Sequence, residues 1–132
     1  MIRLAAILTC LALAGCGAAD PDAKEIDLGA EVTLAPGETV SVKTAAMTVR
    51  FVAVTEDSRC PRDVTCVWAG EVKVSLSIQE SSKVASPAEV SEGGSTLAGG
   101  YRVTLVRVEP HPVTGANIAP QAYRATLKIA LR

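Results

Sequence analysis

The chain predicts an all-β protein, with one antiparallel β-sandwich, or a barrel-like variant of it, over residues 31–132. Three observations lead there. Residues 71–80, EVKVSLSIQE, and 123–132, YRATLKIALR, alternate apolar and polar side chains, the period of a strand with one buried face. Turn signals recur between the apolar runs, as at Ala35-Pro36-Gly37. No segment of helical length carries a 3.6-residue period, since AAMTV at 45–49 and SPAEVSE at 86–92 are too short to stand alone.

Residues 1–15, MIRLAAILTCLALAG, have one positive charge at Arg3, an apolar run and small residues at the end, the layout of a signal peptide and too short to span a membrane. The run ends in Leu13-Ala14-Gly15-Cys16, which resembles the lipobox of bacterial lipoproteins. That resemblance implies that Cys16 is lipidated and becomes the first residue of the mature chain, anchored in membrane lipid without spanning it. An ordinary secretory signal is the alternative; it leaves Cys16 as an unexplained thiol in an oxidising compartment. Gly17 stands where Gram-negative lipoproteins retained in the inner membrane usually carry aspartate, so the resemblance favours an outer-membrane location in such a host.

Residues 16–30 form the lipidated N-terminus and a flexible tether, because GAADPDAKEIDLGA is small, polar and without periodicity. The remaining hundred or so residues suffice for one core and not two. Residues 31–34 and 38–43 flank the first Pro-Gly turn. Residues 47–56, MTVRFVAVTE, are β-branched but mixed between faces, so this strand is buried on both sides or carries a bulge. In 71–80, Val72, Val74, Leu76 and Ile78 point inward. The Gly-rich patch at 91–100 is expected as a loop flanking short strands. Residues 101–109 alternate through Tyr101, Val103 and Leu105, then switch phase to Val106 and Val108, which is what a bulge produces. In the last strand Tyr123, Ala125, Leu127, Ile129 and Leu131 face inward, with Arg124, Thr126, Lys128 and Arg132 outward. A buried Tyr123 phenol needs a hydrogen-bond partner.

Between the strands expected at 47–56 and 71–80 lies DSRCPRDVTCVWAG, residues 57–70. In an exported chain Cys60 and Cys66 are expected as a disulfide, whose seven-residue loop is worth about 2 to 2.5 kcal/mol in the chain-entropy model. The Cys-x5-Cys spacing lacks the closeness of redox pairs, and with His111 as the only histidine a zinc ligand set falls short. Pro61 suits the start of a short helical turn, with Asp57 or Ser58 as its cap. Trp68 has two readings. It packs over the disulfide and the edge of the core from the same strand face as Cys66, or it anchors a candidate binding surface made of Asp57, Arg59, Arg62, Asp63 and Trp68, since Trp and Arg are enriched in hot spots.

The run DSRCPRDVTCVWAGEVKVSL, with GGYRVTLVRVEP and YRATLKI downstream, resembles a family of small, largely uncharacterised bacterial secreted proteins and lipoproteins with a Ser-Arg-Cys-Pro…Cys-x-Trp-Ala-Gly signature. The resemblance covers most of residues 31–132 and implies a compact β domain. It brings no catalytic residues with it.

The whole chain holds 13 Lys and Arg against 14 Asp and Glu, and removing Arg3 with the leader leaves 12 against 14, so there is no basic footprint for nucleic acid. His111, between two prolines, has no accompanying nucleophile motif and is expected as an exposed loop residue. Glu56, Asp57 and Glu109 could pair for acid-base work only if the fold brings them together. No Gly-rich phosphate loop opens a helix. The expectation is a non-enzymatic envelope lipoprotein without cofactor or metal, a binding or structural module held to lipid through Cys16, whose loops bind a protein or other envelope component. The alternative is a protease-inhibitor-like protein presenting residues 57–68, with Arg59 or Arg62 as the specificity residue.

Overall fold

The structure, a computed structural model, describes residues 20–132; the leader, Cys16 and Gly17 lie outside the described residues. The fold is all-β, with two sheets packed face to face around one core. The strands are β1 (Lys24–Ile26), β2 (Glu31–Leu34), β3 (Thr39–Val42), β4 (Met47–Asp57), β5 (Val72–Glu80), β6 (Ser86–Ser91), β7 (Ser95–Ala98), β8 (Tyr101–Glu109) and β9 (Arg124–Leu131). One sheet runs β1-β3-β4-β5-β6 and the other β2-β9-β8-β7, all antiparallel except the β1–β3 pair.

Alternation sets the faces. Val72, Val74, Leu76 and Ile78 of β5 meet Val103, Leu105, Leu127 and Ile129 in the core, together with Phe51, Leu34 and Val40, and this apolar burial is the main favourable term holding the sheets together. The chain crosses between sheets twice near turns expected from sequence. Ala35-Pro36-Gly37 carries it from β2 to β3, with Gly37 at φ +92° donating to the Phe51 carbonyl. Glu92 to Gly94 carries it from β6 to β7, and Gly93 and Gly94 bond the Leu105 backbone in passing.

Irregularity in two strands decides which side chains reach the end of the sandwich. In β4 the register slips between Phe51 and Ala53 and again between Val54 and Glu56, so Asp57 stands opposite Val72 and shares its inward face. In β8 one slip between Leu105 and Arg107 puts Val108 opposite Ala125, facing the core, and turns Arg107 and Glu109 outward. The phase switch seen in 101–109 is this bulge.

Four expectations change. The tether does not extend to residue 30: β1 pairs in parallel with β3, Lys24 Nζ reaches Glu38 at 2.8 Å and the Thr33 carbonyl at 2.9 Å, and the Gly29 amide donates to Ile129. A short polar stretch acquires strand structure here because an existing sheet edge supplies its backbone partners. The Gly-rich stretch at 91–100 contains β7. Leu131 is exposed at the end of β9, while Thr126, on the outer face as expected, is nevertheless buried between its cross-strand neighbours Thr33 and Arg107 and bonded to the Thr33 hydroxyl at 2.9 Å. Trp68 lies outside any strand and is exposed.

Candidate functional site

The end of the sandwich where β4, β8 and β9 finish their core packing holds a buried polar network. Asp57 is delivered inward by the β4 bulges, and Arg59, two residues on, folds back over it. Arg59 Nε donates to Asp57 Oδ1 and Nη2 to Oδ2, both at 2.8 Å, a two-pronged ion pair. Nη1 donates to the Val108 carbonyl at 2.7 Å and Nη2 to the Pro110 carbonyl at 3.0 Å, so the β4 arm is locked to the end of β8 in the opposite sheet. Tyr123, just ahead of β9, donates its hydroxyl to Asp57 Oδ2 at 2.9 Å. Glu92, at the β6–β7 crossing, accepts from the Val108 amide at 2.6 Å and lies 3.8 Å from Arg59 Nη1. Arg59 is only 8% exposed, and its charge is met on every side.

The ionisation states follow. Burial pushes the Asp57 carboxyl up, but the bonds from Arg59 and Tyr123 outweigh it and hold the group below its ordinary value. The bond to Asp57 raises the Arg59 guanidinium against the opposing effect of burial. Burial first, then donation to the Asp57 carboxylate, pushes the Tyr123 phenol up to about 12.

This network anchors the base of the cysteine loop. Above it the chain is closed by Ser58–Glu71 and Cys60–Ala69 backbone bonds and by the Cys60–Cys66 disulfide, with Cα atoms 5.8 Å apart. The helical turn expected at Pro61 is a single turn, its Val64 amide bonding the Pro61 carbonyl. Neither expected cap serves it, because Asp57 holds Arg59 and the Ser58 hydroxyl donates to the Glu71 carbonyl. Gly70 sits at φ +68° against the Ser58 carbonyl, so a Cβ there would collide with backbone. Asp63 reaches across to the β8–β9 connection and accepts from the Thr114 amide at 2.9 Å, which holds its carboxyl below the ordinary value. His111 is exposed and its Nε2 donates to the Cys60 carbonyl at 2.9 Å.

The five residues of the sequence-derived surface therefore separate. Asp57 and Arg59 are interior and pair with each other, and Asp63 is occupied by Thr114. Arg62 and Trp68 face solvent, Trp68 being 83% and its neighbour Val67 93% exposed. Of the two arginines that could fill a protease specificity pocket, only Arg62 is accessible. Glu56, Asp57 and Glu109 do not converge: Glu56 pairs with Lys73, Asp57 is held in the network, and Glu109 lies on the outer face opposite Arg124. Among the described residues no three His, Cys, Asp or Glu side chains are grouped to hold a metal ion.

Beside the loop lies an open cleft of about 670 Å3, lined by Arg62, Arg107, Glu109, His111 and Arg124, with Glu92 and Val108 on its inner side. Sequence reasoning did not find it, because its residues come from the cysteine loop, β8, β9 and the β6–β7 crossing. The β8 phase switch was the only signal, since it predicts which of residues 106–109 turn outward. No family model, curated protein or solved structure matches the chain.

Proposed function

We propose that this chain is a lipid-anchored envelope protein, acylated at Cys16, whose β-sandwich binds a protein partner through the tip of the disulfide loop and catalyses no reaction. One observation carries the reading. Trp68 and Val67 are held out in solvent on a segment closed by a disulfide, a backbone ladder and the buried Arg59 pin. A large apolar pair displayed on a rigid base forms a contact with little loss of conformational entropy, and Trp is the residue most enriched at binding hot spots. The Leu13-Ala14-Gly15-Cys16 run supports the anchor.

Two experiments test the two halves separately. Palmitate labelling in a bacterial host should mark the parent chain and not Cys16→Ser; equal labelling overturns the anchor. Affinity capture from envelope membranes with the parent and with Trp68→Ala should recover a partner only with the parent. Identical partner lists overturn the loop tip as the site.

A further inference from the structure

We infer that the cleft beside the cysteine loop is a phosphate-binding site. Its lip carries three exposed guanidinium groups, Arg62, Arg107 and Arg124, drawn from three separate elements. Arg107 stands opposite Thr126 and Arg124 opposite Glu109 in the β8–β9 ladder, so the two arginines are diagonal neighbours on one outer face. Arg62 is brought over them by the bond from its amide to the Pro112 carbonyl.

Among the described residues none of the three forms an ion pair. Arg124 spends Nη1 on the Gln121 and Tyr123 carbonyls, which fixes its direction and leaves its other donors open. Glu92 lines the cleft with its Oε2 engaged by the Val108 amide and 3.8 Å from Arg59 Nη1. Of the charged side chains that line the cleft, Arg62, Arg107 and Arg124 outnumber Glu92 and Glu109 by one, and Asp63, near Arg62, is turned to the Thr114 amide.

The chemistry that such a lip recognises is an oxyanion. Guanidinium groups bind phosphate and carboxylate through paired N–H donors. A phosphate group, with up to two charges and three terminal oxygens, engages three guanidiniums, whereas one carboxylate has two oxygens and one charge. The phosphate can be free or presented by a lipid headgroup.

The test uses the full chain, 15N-labelled, in neutral detergent micelles, titrated with inorganic phosphate against chloride at matched ionic strength. A second arm dopes the micelles with phosphatidic acid. Saturable shifts at the Arg107, Glu109, His111 and Arg124 amides are expected in at least one arm; shifts in the doped arm alone assign the phosphate to lipid. The double variant Arg62→Gln, Arg107→Gln should weaken binding by about tenfold or more, and Glu109→Gln should tighten it. Circular dichroism should show both folded, since these side chains face solvent. No saturable shift in either arm overturns the site, as does an equal loss on changing the exposed cation Lys83→Gln, in the β5–β6 turn at the far end of the other sheet.

Discussion

Replacing Arg59 with alanine tests whether the Asp57–Arg59 pair is the pin that holds the two sheets together at this end. The variant removes two 2.8 Å bonds to Asp57 and the bonds to the Val108 and Pro110 carbonyls. It leaves the Asp57 carboxylate, with a side chain 9% exposed, facing only the Tyr123 hydroxyl and the backbone amide of residue 59. Removing one partner of a buried ion pair costs about 3 to 5 kcal/mol, most of it from the uncompensated charge left behind. Against a total stability of roughly 5 to 15 kcal/mol this is a large fraction. Urea unfolding followed by far-ultraviolet circular dichroism is the assay, because the single tryptophan is exposed and reports the core poorly. Asp57→Asn should cost less, since the Arg59 charge it leaves behind keeps the Val108 and Pro110 carbonyls and has Glu92 3.8 Å away, and the double variant should be less damaging than the two single losses summed, the mark of direct coupling. A loss below about 1 kcal/mol for Arg59→Ala, the size of a surface pair, would refute the pin.

Acid should act through the same group. The Asp57 carboxyl is held below 3.8 in the folded state, so its stabilising contribution is complete above that value and disappears as pH falls below it toward the folded-state value; Asp57→Asn should flatten this part of an acid-unfolding curve. Tyr123→Phe should cost about 1.5 to 3 kcal/mol, the range for a hydrogen bond to a charged group. The parent's Tyr123 should ionise only near pH 12 in an ultraviolet titration, and stability from its raised value should fade as pH rises from 10 toward 12. Gly70→Ala should destabilise the domain by at least about 1 to 3 kcal/mol, because it adds backbone strain and a clash with the Ser58 carbonyl; unchanged thermal unfolding would contradict the loop-neck geometry. The double variant Cys60→Ser, Cys66→Ser should lose about 2 to 2.5 kcal/mol, the entropy of a seven-residue loop, and the parent under reductant should match it.

Binary patterning made much of the sandwich legible. The inward residues of β5, and those of β9 up to Ile129, follow from alternation alone, and the bulge in β8 announced itself as a change of phase. The disulfide followed from the two cysteines outside residues 1–16, read with the export that the opening residues lead one to expect. Extended pairing of the tether was hidden, because KEI has no buried periodicity and forms a strand only where the edge of β3 offers partners.

The cysteine loop divides most sharply. Its sequence determined that the chain would be stapled there and that Asp, Arg and Trp side chains would be crowded around the staple. Which of those side chains are interior was a tertiary matter. Arg59 and Arg62 are three residues apart and chemically identical, yet one is buried against the Val108 and Pro110 carbonyls and the other is exposed on the lip of the cleft. The physical reason is that a charge can be buried only where partners from distant strands meet it, here Asp57 placed by two bulges in β4 and carbonyls contributed by β8. Local sequence sets the side chain's chemistry, whereas the long-range register between strands sets its neighbours.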